Sequence, residues 1–175
     1  MPTTRRAGYA LDGMVEQSGD QAAIEGWRQM LVPVRGGPDA LARVRLALRI
    51  AAATGAGVTA LYVMDERLLG DPSASLVRED LFEQLTQEGE AVFDAVRGLS
   101  DARHVRLSTR LERGPVVETV VKVADEIGAD VIVVGSHRQT WLGRLLGGSV
   151  AESIMRAAGC AVLAVPPVSP TQKRK

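Results

Sequence analysis

The chain has 175 residues, enough for one domain that buries a core of its own without disulfides or a metal. Lys plus Arg number 21 and Asp plus Glu number 21, so the formal charge is zero and the basic footprint of a nucleic-acid or anionic-membrane binder is missing. A lone cysteine, Cys160, excludes a disulfide framework and suits a reducing compartment.

No apolar segment follows Arg5-Arg6, because Asp12 interrupts it. The uncharged stretch from Ile50 to Met64 is too short to span a bilayer. A cytoplasmic protein with no membrane contact is therefore expected.

Taken in order, residues 1–28 read as a polar, glycine-punctuated N-terminal arm, which Trp27 could anchor. Residues 29–167 read as one α/β domain and 168–175 as a flexible tail. Met30 to Val34 is a short apolar strand, closed by Gly36-Gly37-Pro38. Leu41, Val44, Leu48 and Ala51/Ala52 then recur at helical spacing as far as Gly55. Val58 to Met64 is a second strand. The next helix carries Val77, Leu81, Leu85, Val92 and Val96 on one face, with Gly89 weakening its middle by about 1 kcal/mol relative to Ala.

Val105 to Glu112 alternates apolar and polar residues, as a strand with one wet face does, often at a sheet edge. Gly114-Pro115 opens a helix supported by a Glu118 and Lys122 pair and stopped by Gly128. Val131 to Val134 is uniformly apolar, as a central parallel strand must be, and Cys160 to Val165 reads likewise before Pro166-Pro167. Five strands alternating with four helices predict an open parallel sheet covered on both faces, with any ligand beyond the strands' carboxyl ends.

The segment from Asp130 to Glu152 carries the chemistry. An apolar strand empties at Gly135 into a loop that ends at Gly148-Ser149, where a helix starts. Unpaired N–H groups and the positive end of that helix's dipole suit a phosphate. The Ser149 to Glu152 spacing equally makes a capping box, which would start the helix without any ligand. The chain has neither a Walker lysine before Ser149 nor a G-x-G-x-x-G, and His104 and His137 lack metal-ligand spacing. Ser136 and His137 are chain neighbours whose side chains diverge, so no catalytic residue is assigned. Trp141 could stack on a base or cover the top of the sheet.

The order of these motifs resembles the universal stress protein family from about Gln29 to Pro167. The resemblance is carried by Leu31-Val-Pro-Val34, Ala60 to Asp65, Gly114-Pro115, Ala129 to Ser136, Gly148 to Glu152 and Cys160 to Pro166. It implies a Rossmann-like α/β domain of strand order 3-2-1-4-5, a homodimer paired through residues 160–165 and, in one subclass, adenine-nucleotide binding. The subclass motif G-x2-G-x9-G-[ST] falls on Gly135, Arg138 and Gly148-Ser149, so an arginine replaces its second glycine. Arg35 stands where the family commonly has Asp, and Val63 occupies the position that packs on the base. The implied cofactor-binding set is Pro33, Val34, Arg35, Val63, Gly135, Ser136, Arg138, Gly148, Ser149 and Val150.

The expected function is a regulatory stress-response module that binds ATP or a related adenine nucleotide weakly. The alternative is a protein acting only through contacts with an unknown protein partner, with a weak ATPase or nucleotidyl transferase third. The two arginines predict that phosphate recognition outlives adenine selectivity, with an ATP dissociation constant above about 10 μM. Arg35 and Asp65 are further expected to form an ion pair at the ends of adjacent strands.

Overall fold

The computed structural model describes residues 26–35, 38–65, 75–136 and 150–167. Strands and helices alternate through them: β1 (Gln29–Val34), α1 (Pro38–Thr54), β2 (Gly57–Met64), α2 (Ser75–Asp101), β3 (Leu107–Arg113), α3 (Val116–Glu126), β4 (Val131–Gly135), α4 (Val150–Ala157) and β5 (Ala161–Val165). All pairings are parallel and the order is β3-β2-β1-β4-β5, the expected one. The strand order reverses between β1 and β4, and β1 is held there by Met30 opposite Val131 and Leu31 opposite Ile132.

The period-two alternation of the strands divides the core in two. Met30, Val32 and Val34 pack with Val44 and Leu48 of α1 and Phe93 and Val96 of α2. Leu31 and Leu61 pack on the other face with Val120 and Val123 of α3 and Ile154 of α4. Both faces of β1, β2 and β4 are covered along most of their length, which is why these strands read as continuous apolar runs. Trp27 packs at the rim of the first cluster; residues 1–25 and the tail after Pro167 lie outside the described residues.

Several local details differ from the sequence reading, each for a tertiary reason. The buried stripe of α1 is Ala40, Val44, Ala47, Leu48 and Ala51, with Leu41 only half-buried. Small side chains on that stripe let the helix backbone approach the sheet. Gly89 proves to be a contact point, since a Cβ there would lie 2.8 Å from Leu111 Cδ1 and 3.2 Å from Tyr62 Cδ1. Its lack of a side chain seats α2 on β2 and β3. β3 begins at Leu107 because Val105 belongs to the preceding turn: the Ser100 hydroxyl donates to the Val105 carbonyl at 2.7 Å, and His104 takes φ 53.

Lys122 reaches Glu126 at 3.6 Å, and Arg110 pulls the same carboxylate from β3 at 2.9 Å. α3 ends as its sequence suggested. Gly128 adopts φ +60, its N–H donates to Asp125 and that of Ala129 to Ala124, the paired bonds that close a helix through a left-handed residue.

The two sheet edges are unlike. Arg110 of β3 bridges Glu112 at 2.7 Å as well as Glu126, so charges cover that edge. β5 spans Ala161 to Val165, with Cys160 just before it, and every residue of the strand is half-buried or exposed and uncharged.

Candidate functional site

The carboxyl ends of β1, β2 and β4 open into a cavity of about 520 Å³. It lies where the strand order reverses, the place at which open α/β sheets leave a crevice. Pro33, Val34 and Arg35 come from β1 and the residue after it, Leu61 and Val63 from β2, and Gly135 from the end of β4. Leu81 and Leu85 of α2, Val116 at the start of α3, and Val150, Ala151 and Ile154 of α4 complete the walls.

Six of the ten residues implied by the resemblance therefore share one cavity: Pro33, Val34, Arg35, Val63, Gly135 and Val150. Ser136 stands just past β4 and is not among the lining residues, its N–H donated to the Val165 carbonyl at 2.8 Å. Arg138, Gly148 and Ser149 lie outside the described residues, as do His137 and Trp141. α4 starts at Val150, directly after the Gly-Ser pair. Glu152, the far end of the capping-box spacing, is bridged by Arg156 at 2.6 Å.

Arg35 and Asp65 both line the cavity. Each stands directly after a strand, Arg35 after β1 and Asp65 after β2, and the two strands are adjacent with Val34 opposite Tyr62.

Arg43 is the residue that the sequence reading missed. It projects from α1 into the cavity wall and lies against Gly135: a Cβ on that glycine would meet Arg43 Nη1 at 2.7 Å and Cζ at 3.0 Å. Gly135 thus makes room for a guanidinium. Arg43 Nε is buried and has no hydrogen-bond partner among the described residues. Burial pulls the guanidinium below its ordinary pKa, and Asp39, one turn earlier, pushes it back. A sequence signal existed, since Arg43 sits three residues after Ala40 and four before Ala47, both buried, which puts a charge on the small-residue stripe of α1.

Tyr62, also unforeseen, lines the cavity from the α2 side. Burial and the Glu88 carboxylate that bonds its hydroxyl raise its pKa, while Arg35 acts the other way.

Among the described residues no three His, Cys, Asp or Glu side chains converge on a metal position. No described helix is long and apolar enough to cross a membrane.

A parallel sheet wound on both faces, with its cavity at the reversal of strand order, defines a doubly wound α/β protein of the ligand-binding kind. Residues 26–166 match the model of the universal stress protein family, and the chain belongs to that family. It is 31% identical over 139 residues to a universal stress protein of Methanocaldococcus jannaschii, a match covering 79% of this chain and 82% of the relative. A universal stress family protein of Burkholderia pseudomallei, 30% identical, superposes with a TM-score of 0.66 over 80% of this chain and 96% of its own. A universal stress protein solved in complex with cAMP, 26% identical, superposes with a TM-score of 0.62 over 81% of this chain and 98% of its own.

Proposed function

We propose that this protein is a nucleotide-responsive regulatory module of the cytoplasm, holding an adenine nucleotide at the carboxyl ends of β1, β2 and β4. The observation that carries the reading is the cavity of about 520 Å³ at the switch point, with Gly135 and the start of α4 on its rim. The relative solved with cAMP supports the ligand class.

This chain's residues fit such a ligand. Leu61, Val63 and Val116 offer apolar wall to a base, and Arg35 and Asp65 offer polar groups to a sugar. The first turn of α4 presents backbone N–H groups and the positive end of its dipole to a phosphate. In this reading the nucleotide is a bound signal, and no catalytic role is assigned to a residue of the cavity. ATP enters weakly and with little preference over GTP, because Arg35 takes the position of the family's Asp. An ion pair between Arg35 and Asp65 stands where the family has its Asp, and Arg35→Asp disturbs local order or ligand binding more than an ordinary surface substitution does.

The test is to acid-extract the purified protein, identify released nucleotide by mass spectrometry, and titrate the stripped protein with AMP, cAMP and ATP. Adenine nucleotide in the extract or heat on titration supports the reading. An empty extract with no heat from any of the three leaves the alternative, action through protein contacts alone.

The uncharged β5 edge supports a homodimer paired along that strand, since an apolar edge of this kind invites pairing with a second copy. Light scattering should return twice the monomer mass, and Leu163→Lys should shift the protein toward monomer. A wild type that stays monomeric at micromolar concentration removes the dimer from the proposal.

A further inference from the structure

We infer that Arg43 holds the phosphate charge of the ligand, so that this cavity distinguishes a nucleotide from its nucleoside through an α1 arginine laid on Gly135. The inference rests on the nucleotide reading above and adds the residue that sets ligand charge.

Three observations on Arg43 converge. The first is position: the guanidinium touches the tip of β4, with Nη1 only 2.7 Å from where a Gly135 Cβ would stand, at the crevice between β1 and β4. An anion lying against the strand tip would meet that group. The second is an unmet need. Arg43 Nε is buried without a partner among the described residues, although most buried polar groups are satisfied. A guanidinium has five N–H donors in a planar fork and no acceptor, and a phosphate oxygen is the partner that such a fork fits best. The third is charge. The described lining carries Arg35 and Arg43 against Asp65, leaving one positive charge in excess, and Asp39 offsets Arg43 only from along its own helix.

A purely structural arginine would prop the end of β4 and matter equally to every ligand. A phosphate-holding arginine matters only to charged ones. Comparing AMP with adenosine therefore separates the two roles, and it does so without any enzymatic readout.

The experiment is calorimetry of wild type, Arg43→Gln and Arg43→Lys with AMP and with adenosine, at low and at raised salt, each variant first checked by thermal melting. In Arg43→Gln, AMP affinity should fall about tenfold or more while adenosine affinity stays within about twofold, the loss expected when a charge-assisted bond is removed. Arg43→Lys, which keeps the charge but not the fork, should fall between. Wild-type AMP binding should weaken with salt more than adenosine binding does. An unchanged AMP affinity in Arg43→Gln, or an equal loss for AMP and adenosine, overturns the inference and leaves the nucleotide reading standing. A wild type that binds neither compound overturns the inference, and the nucleotide reading falls with it if cAMP and ATP also give no heat and the extract is empty. Should Arg43→Gln fail to fold, Arg43→Lys and the wild-type salt dependence decide by the same comparison.

Discussion

At the amino end of the sheet the Asp130 carboxylate accepts the N–H groups of Arg28 at 2.7 Å and Gln29 at 2.8 Å, and its own N–H donates to the Gln29 carbonyl at 2.9 Å. The Gln29 side chain in turn reaches the Thr59 hydroxyl at 2.7 Å. β1 and β4 are stapled where they begin, and the polar groups at this end satisfy one another. At the carboxyl end the same two strands diverge around a cavity, and the arginine between their tips keeps a buried N–H without a partner among the described residues. The polar groups of the amino end hold the sheet together, whereas Arg43 at the carboxyl end has a buried donor that no described residue satisfies. Functional sites are commonly the places where a protein gives up local stability, and the contrast points to the carboxyl end as the working one.

The largest effect expected from breaking this contrast is at Asp130. Asp130→Ala removes a carboxylate that accepts two N–H groups at the rim of the sheet, and should lower stability by about 2 kcal/mol in denaturant melts. Adenine-nucleotide affinity should stay as in wild type, since the cavity is at the opposite end. The two backbone bonds hold the Asp130 carboxyl below its usual range. Its stabilisation is therefore complete above the unfolded carboxylate value near about pH 4 and fades as pH falls through the lower folded value. Wild type should accordingly lose stability over that acid window and the variant should lose less. Parallel curves would show that the carboxylate stabilises nothing.

Sequence patterning revealed the fold well, because both faces of the central strands are covered and the apolar runs have nowhere else to go. Gly128 and Pro115 marked helix ends by their own backbone restrictions, and both sit at the ends of α3. What sequence did not disclose depends on partners far away in the chain. Gly89 looks like a weak helix position until Tyr62 and Leu111 are brought beneath it. Gln29 looks like the residue before a strand until Gly57 pairs with it.

The site divides along the same line. Gly135 follows from the end of an apolar strand, while Pro33, Val34 and Val63 came with the family resemblance; all four line the cavity. Arg43 was not, because a charged residue on a helix ordinarily belongs to the solvated face. Only the close approach of α1 to β4, permitted by Ala40, Ala47 and a bare Gly135, turns it inward.

A smaller effect is expected at Gly135 itself. In Gly135→Ala the new Cβ would press on the end of a flexible side chain, which can swing aside, so the stability loss should be near about 1 kcal/mol, at the lower end of overpacking. The guanidinium would be displaced from the strand tip. AMP affinity should therefore fall several-fold while adenosine affinity holds, and an AMP affinity equal to wild type would show that the contact with Gly135 does not position Arg43 for a ligand.

The smallest stability change should come from Arg43→Met, and its sign carries the contrast furthest. Methionine keeps an unbranched stem to lie along the α1 side of β4 but removes both the charge and the unpartnered N–H. Deleting a buried donor that has no acceptor relieves a desolvation penalty, so the melting temperature should stay level or rise, by no more than about 1 kcal/mol in stability, even as AMP binding weakens. Asp130→Ala would then lose stability and keep binding, whereas Arg43→Met would keep stability and lose binding. A drop of about 2 kcal/mol in Arg43→Met, comparable to that at Asp130, would mean that the arginine is a strut of the sheet. In that case both ends of the sheet would be built for stability, and the cavity would lack the charged group argued to select its ligand.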